Sequence, residues 1–326
     1  MRKEHDLLGT REIPAELYYG IHTLRALENF PVTGRPMHRE LVLALVTVKK
    51  AAAAANTETG GLTEKRGAAI MNACDEILAG RFLDQFVVDA IQGGAGTSAN
   101  MNANEVIANA AIELIGGKKG DYSLVHPLDD VNMSQSTNDV YPTALRLAAI
   151  RMLIPLSETF AELQETLQEK ENEFAAVLKT GRTQLQDAVP VTLGQEFGAY
   201  AQAVARDRWR LYKVEERLRQ VNIGGTAVGT GINAGRKYIY VLTEKLREYT
   251  GLGLARAEYM MDITQNADVF VEVSGLLKSA AVNLTKIAND LRLLSSGPKA
   301  GLGEINLPPV QAGSSIMPGK VNPVIP

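Results

Sequence analysis

The sequence predicts a mainly α protein, with a long-helix bundle at its core and a smaller, mostly helical N-terminal domain. Three apolar patterns carry this prediction. Within residues 143–178, Leu156, Phe160, Leu163, Leu167, Phe174 and Leu178 recur at spacings of three, four and seven. Within 193–221, Phe197, Tyr200, Val204, Leu211, Val214, Leu218 and Val221 do the same. Within 262–294, Leu277, Leu284 and Leu291 stand one heptad apart. Such spacings put the apolar residues on one face of a helix, and the narrow 3.5-residue form is the seam of long packed helices. Three helices of roughly 30 residues are each about 45 Å long at 1.5 Å per residue, and they bury their stripes by packing side by side. The stripes are read as core. Seams of this length also favour packing between subunits, so an oligomer is expected.

Taken in order, residues 1–36 carry turn punctuation at Gly9, Pro14, Gly20, Pro31, Gly34 and Pro36 with little periodicity, which reads as an irregular arm with short strands or turns. Helix formers dominate 39–55, where the alanines at 51–55 favour close packing. A second helix is predicted over 64–78, stopped near Gly80, and a third over 102–115, closed by Gly116 and Gly117. Residues 92–101 and 118–138 read as loops. Pro155 is expected to kink the first long helix. A glycine-rich connector follows the second long helix (Gly224, Gly225, Gly229, Gly231, Gly235), then a shorter helix over 238–249. The change to long helices places a boundary near residue 140, with an N-terminal domain at 1–140 and the bundle at 141–326. From residue 297 to 326, 11 of 30 residues are Gly or Pro, where average usage would give about four. No regular helix survives that density, and structureless loops this long are usually functional or disordered.

Composition narrows the function. Hydrophobic residues make up 45% and charged residues 22% of the chain, the ordinary soluble range. The net charge is −3 with no basic tract, so nothing points to nucleic acid. Cys74 is the sole cysteine, which excludes an internal disulfide and a cysteine zinc site and suits a reducing cytoplasm. The N-terminus is polar and charged, without a signal-peptide core, and the longest strongly apolar stretch, 41–48, is too short to span a membrane.

Four polar loops punctuate the helical chain: Gly96-Thr97-Ser98-Ala99-Asn100, Ser134-Gln135-Ser136-Thr137-Asn138-Asp139, Gly181-Arg182-Thr183-Gln184-Leu185-Gln186-Asp187, and Gly313-Ser314-Ser315-Ile316-Met317-Pro318-Gly319-Lys320-Val321-Asn322-Pro323. Each taken alone reads most simply as helix capping. Together they supply many neutral hydrogen-bond donors, which hold small carboxylates without the desolvation cost of many charges. The Gly93–Thr97 stretch lacks a phosphate loop's Gly-Lys-Ser/Thr ending, and no strand–helix–strand unit surrounds Gly229-Thr230-Gly231 as a dinucleotide fingerprint needs.

The last of these loops resembles the signature loop of the aspartase/fumarase superfamily, and the other three are similar to the superfamily's remaining motifs in the same order. The segments Glu4-His5-Asp6-Leu7-Leu8-Gly9 and 19–30 resemble its aspartases more than its fumarases. The resemblance covers essentially all 326 residues. It implies reversible anti elimination of ammonia from L-aspartate to give fumarate, with no organic cofactor; a role for a divalent cation is not legible. It implies that Ser314 is the general base on C3. Thr97, Ser136, Thr137 and Ser315 match residues holding the β-carboxylate, and Thr183, Lys320 and Asn322 match residues around the α-carboxylate. Asn138 and Gln184 match residues contacting the amine. It further implies a homotetramer whose sites are shared among three subunits. Members usually continue for well over a hundred residues more, so the last bundle helices and a small C-terminal domain are expected to be missing.

The residues make chemical sense of this. A C3 proton beside a carboxylate is very weakly acidic, and its removal becomes feasible if preorganised donors stabilise the second charge on that carboxylate. A loop rich in backbone N–H groups, with Lys320 nearby, lowers the pKa of a serine base. The chain departs from the common pattern in two places. Many members carry histidine where this chain has Gln184, and its four histidines all lie in the first 126 residues. A hydroxide leaving group needs an acid, whereas an ammonium already carries its proton; glutamine donates a hydrogen bond but no proton. Gln184 therefore favours an ammonia-lyase over a hydratase. In His126-Pro127-Leu128-Asp129-Asp130-Val131-Asn132, Leu128 and Asp130 replace an asparagine and a histidine, which argues against a second anion site there.

Overall fold

The computed structural model describes every residue except Ala95 and Pro318. In chain order the helices are α1 (Ile21–Asn29), α2 (Arg39–Glu58), α3 (Glu64–Leu78), α4 (Thr97–Leu114), α5 (Thr137–Glu173), α6 (Leu193–Leu218), α7 (Arg236–Thr250), α8 (Met260–Gln265) and α9 (Asp268–Leu294). The strands are β1 (Arg2–Asp6), β2 (Gly9–Ile13), β3 (Leu178–Thr183), β4 (Gln186–Thr192), β5 (Gln220–Val221) and β6 (Ala255–Arg256). They pair as two antiparallel hairpins, β1–β2 and β3–β4, and one short parallel pair, β5–β6. The chain forms two compact units, Met1–Met152 with Glu215–Ala267 and Leu153–Val214 with Asp268–Pro326, where the sequence suggested a boundary near residue 140.

In the first unit, α2 packs against α3 and α7, and α3 against α4. The alanines at 51–55 of α2 are buried, the close approach their small side chains permit. Gly67 of α3 lies so near α2 that an added Cβ would stand 1.9 Å from Thr57 Oγ1. The start of α3 is capped by Thr63, whose Oγ1 accepts from Arg66 N at 3.4 Å, and Gly80 follows its end with φ +104°. The N-terminal arm is more regular than the sequence suggested. It forms the β1–β2 hairpin and α1, and the buried Glu105 of α4 anchors it by accepting from Gly20 N, His22 N, Thr23 N and Thr23 Oγ1. The region expected as polar loop at 118–138 contains one π-helical turn, Pro127–Val131.

In the second unit, α5 from Leu153 onward, α6 up to Val214 and α9 lie together. The α6 stripe is core: Phe197, Tyr200, Val204, Leu211 and Val214 are all buried. Polar bonds join α6 to α9, with Tyr200 donating to Asp290 at 3.0 Å and Asn283 to the buried Asp207 at 2.7 Å. On α5, Phe160 and Leu167 are buried. Three expectations are corrected. The first long helix ends at Glu173, and Leu178 is an exposed residue of β3. The third is broken at Asn266, which bonds back to Asp262 through its backbone and side chain; Asp268 then opens α9. On α9 the buried residues are Val273, Ala280, Ile287 and Leu294, while Leu277 and Leu284 are 39% and 37% exposed. Both sets repeat every seven residues, so the helix carries two apolar seams and only one is covered within the chain. Helix α5 continues through the exposed Pro155 without a break.

Candidate active site

In the first unit the N-termini of α4 and α5 come together. An added Cβ on Gly96, which has φ +85°, would meet the Tyr141 ring at 2.4 Å, so the entry to α4 sits on the first turns of α5. Gln92 caps α4 by accepting from Ala99 N at 2.7 Å, and this leaves the exposed Thr97 free of that task. The start of α5 is a capping box: Ser136 Oγ accepts from Asn138 N at 3.2 Å, and Asp139 Oδ1 accepts from Ser136 N at 2.9 Å. The capping expected of such loops is thus present at Ser136. It uses a lone pair of the hydroxyl and leaves its proton available. The other Asp139 oxygen accepts from Gly224 N and Thr226 N, which holds the glycine-rich connector against the α5 start. Burial raises the Asp139 carboxyl, and these backbone donors oppose the rise. Asn138 Nδ2 donates to Ala227 O at 2.7 Å, which leaves its Oδ1 as an acceptor suited to an ammonium. Thr137 Oγ1 accepts from Asn100 Nδ2 at 3.1 Å.

In the second unit, Thr183 and Gln186 pair across a two-residue turn of Gln184 and Leu185, at φ +52° and +63°. Left-handed backbone costs a residue with a Cβ roughly 1–2 kcal/mol, and such strain clusters at functional sites. From sequence alone the turn reads only as a polar loop. Its hairpin is fastened by charge: Lys179 contacts Glu196 at 2.7 Å and Glu304 at 3.0 Å, and Arg182 contacts Glu304 at 2.7 Å. Gln184 lines a cleft of about 410 Å³ with Lys179, Arg182, Tyr200 and Lys286.

The loop from Gly313 to Asn322 closes on itself; Pro318, within it, lies outside the described residues. Gly313 N donates to Lys320 O at 2.9 Å, and Asn322 Nδ2 donates to Gly313 O at 3.1 Å. A Cβ on Gly313 would lie 2.7 Å from Lys320 O, so the closure requires glycine. Within the loop, Ser314 Oγ accepts from the backbone N–H groups of Ile316 and Met317 at 3.3 and 3.1 Å. Ser315 and Lys320 are exposed. Lys320 and Asn322 line a cleft of about 950 Å³ beside the end of α9, and neither serine lines it.

Thr97, Ser136, Thr137 and Asn138 therefore lie at one pair of helix starts, while Gln184 lines one cleft of the second unit and Lys320 and Asn322 another. Asn322 commits one of its two amide hydrogens to the loop. At Leu128 and Asp130, Asp130 takes the donors an anion would use: its carboxylate meets Arg66 Nη1 at 3.1 Å and His126 N at 2.8 Å. Among the described residues no group of three His, Cys, Asp or Glu side chains could hold a metal ion, and no helix is long and apolar enough to cross a membrane. Sequence reasoning missed Asn100, Asn132 and Lys49, which back Thr137. The signal was the run of asparagines at 100, 102 and 104 in an otherwise apolar helix.

The chain matches the family described as Lyase over residues 9–326. It is 55% identical over 326 residues to an aspartate ammonia-lyase of a Bacillus species, covering 100% of this chain and 70% of that relative. Among solved structures it is similar to a fumarate lyase:delta crystallin from Brucella melitensis bound to cobalt, with a TM-score of 0.97 and 54% identity over 99% of this chain and 71% of that one. A class II fumarase from Schistosoma mansoni matches with a TM-score of 0.95 and 36% identity, again over 99% of this chain and 71% of that one.

Proposed function

The chain belongs to the Lyase family, and from that premise we propose that it catalyses the reversible elimination of ammonia from L-aspartate to give fumarate. The observation that carries the chemistry is Ser314 Oγ held by two backbone N–H groups. Such a pair stabilises an alkoxide and so makes serine a usable base. Identity to aspartate ammonia-lyases supports the substrate, and Gln184 supports an amine leaving group over hydroxide.

In the proposed reaction the Ser314 alkoxide takes the C3 proton. The electron pair of that C–H bond moves into the β-carboxylate, which becomes a dianion. The hydroxyls of Thr97, Ser136, Thr137 and Ser315 donate to it, so stabilisation is greatest where charge develops. The pair then returns to form the C2–C3 double bond as the C2–N bond breaks, and ammonia leaves with the bonding electrons. Asn138 Oδ1 and Gln184 hold the ammonium before it departs. Thr183, Lys320 and Asn322 hold the α-carboxylate. The Ser314 proton is then lost to solvent or ammonia, which restores the base. The sites are proposed to be completed by assembly, three chains of a homotetramer contributing to each. The uncovered Leu277 and Leu284 seam of α9 supports such an assembly.

Addition of L-aspartate is expected to raise ultraviolet absorbance as fumarate forms. Turnover of malate with none of aspartate would overturn the proposal in favour of a hydratase.

A further inference from the structure

Lys49 is fully buried on α2. Its Nζ donates to Asn132 Oδ1 at 2.7 Å and to Gln135 Oε1 at 3.0 Å. Burial pulls the ammonium down to about 7, and the Asp139 charge opposes that fall. The same Asn132 oxygen accepts from Asn100 Nδ2 at 3.1 Å and Asn104 Nδ2 at 3.2 Å, while Asn132 Nδ2 donates to Gln135 O. Asn132 Nδ2 is committed to Gln135 O, and a charged lysine has donors only, so Asn132 turns its oxygen towards Lys49. That choice fixes Asn100, which must present Nδ2 to Asn132. The second hydrogen of that nitrogen reaches Thr137 Oγ1 at 3.1 Å. Hydrogen-bond polarity thus runs from ammonium to amide to amide to hydroxyl. Thr137 Oγ1 receives, and among the described residues no acceptor takes its proton. Asn100 is itself 1% exposed, and its Oδ1 lacks a partner among the described residues.

We propose that Asn100, oriented by Asn132 and Lys49, is a positioning residue that sets the Thr137 hydroxyl as a hydrogen-bond donor to a substrate carboxylate. The inference rests on the proposed function for the identity of that carboxylate. Its chemistry is specific: if Asn100 presented an acceptor instead, the Thr137 proton would turn inward and the substrate would meet a lone pair. One preorganised donor at a developing oxyanion is worth about 10²–10³ in rate.

The polarity argument separates two substitutions. Asn100→Asp keeps the shape but offers Thr137 an acceptor, and is expected to lower kcat/KM for aspartate by about 100-fold. Asn100→Ala only frees the hydroxyl and is expected to lose about tenfold. A purely structural role predicts losses that do not depend on the Thr137 hydroxyl, because a buried carboxylate facing Asn132 Oδ1 and a cavity each disturb the packing whether or not that hydroxyl is present. In a Thr137→Val background both losses should shrink to under about threefold, since the hydroxyl they act on is gone. Equal losses in both backgrounds, or a greater loss for Asn100→Ala, would overturn the proposal. The same cycle is read by calorimetry with succinate, a dicarboxylate that cannot react. A parent chain that binds succinate but releases no fumarate from aspartate overturns the reaction, and the succinate cycle then decides the role of Asn100. A parent chain that does neither overturns both.

Discussion

Ser314→Ala removes one oxygen and with it the proposed base. The structure gives the size of the effect. Ser314 Oγ accepts two backbone N–H bonds, from Ile316 and Met317. A donor aimed at an oxyanion contributes about 3 kcal/mol, so the pair stabilises the alkoxide by roughly 6 kcal/mol. Donors aimed at the oxygen favour its charged form over the neutral hydroxyl, which lowers the serine pKa and helps it act as a base without a histidine partner. Alanine keeps the two donors but has nothing for them to stabilise, so kcat is expected to fall roughly 10³-fold or more, the scale of losing a base. KM should change little, because the carboxylates are assigned to other side chains. The fold should be untouched: the lost bonds are two local ones in an exposed loop, and melting temperatures of parent and variant should agree closely. Initial rates of fumarate formation across a range of aspartate concentrations separate kcat from KM. A fall in kcat of less than tenfold would refute the assignment of Ser314 as base.

Three other perturbations test separate parts of the molecule. Gln184→His should retain ammonia-lyase activity, since an ammonium leaves without an acid catalyst; complete loss of fumarate formation would show that Gln184 does more than contact the amine. Burial lifts the Glu105 carboxyl from 4.5 to about 7, so between those pH values the folded chain binds a proton the unfolded chain does not, and stability rises as pH falls; the shift amounts to on the order of 3 kcal/mol, and denaturant unfolding at pH 7.5 and 5 should show that gain in the parent and its absence in Glu105→Gln. Leu277→Asp with Leu284→Asp places charge on the uncovered seam of α9 and should lower the sedimenting mass while leaving helical circular dichroism unchanged, whereas an unaltered mass would remove that seam from the assembly.

Much of the helical framework was legible because its ends carry chemistry. Thr63 and Gly80 bracket α3, and the bounds expected for it are those observed. The start of α4 was not legible. Thr97, Ser98, Asn100 and Asn102 are weak helix formers, and α4 begins at Thr97 because Gln92 caps it and Tyr141 packs beneath Gly96. The β3–β4 hairpin was missed because Phe174 and Leu178 continue a helical spacing and its turn lacks the Asn-Gly or Gly that marks such turns. On α9 the sequence cannot say which of two heptad seams faces the chain's own unit, since both repeat identically. The loops carrying the candidate site were visible through composition and family resemblance. The support behind them was not, because an asparagine on a helix reads as an exposed polar residue until burial shows otherwise.

The plain reading of these loops as helix caps and the catalytic one do not compete. A hydroxyl has one proton and two lone pairs, and capping uses only a lone pair. Ser136, Thr137 and Ser314 each accept an N–H bond, so all three share one polarity, yet their consequences differ. Ser136 and Thr137 each receive a single such bond, and the carboxyl of Asp139 accepts the Ser136 N–H. Negative charge on Ser136 would face that buried carboxyl, which leaves it suited to donating its proton in a hydrogen bond and not to losing it. Ser314 receives two backbone N–H bonds, and among the described residues no carboxylate is bonded to it. The same local chemistry that makes the first two hydroxyls donors for a carboxylate therefore makes Ser314 the one whose alkoxide the loop can hold.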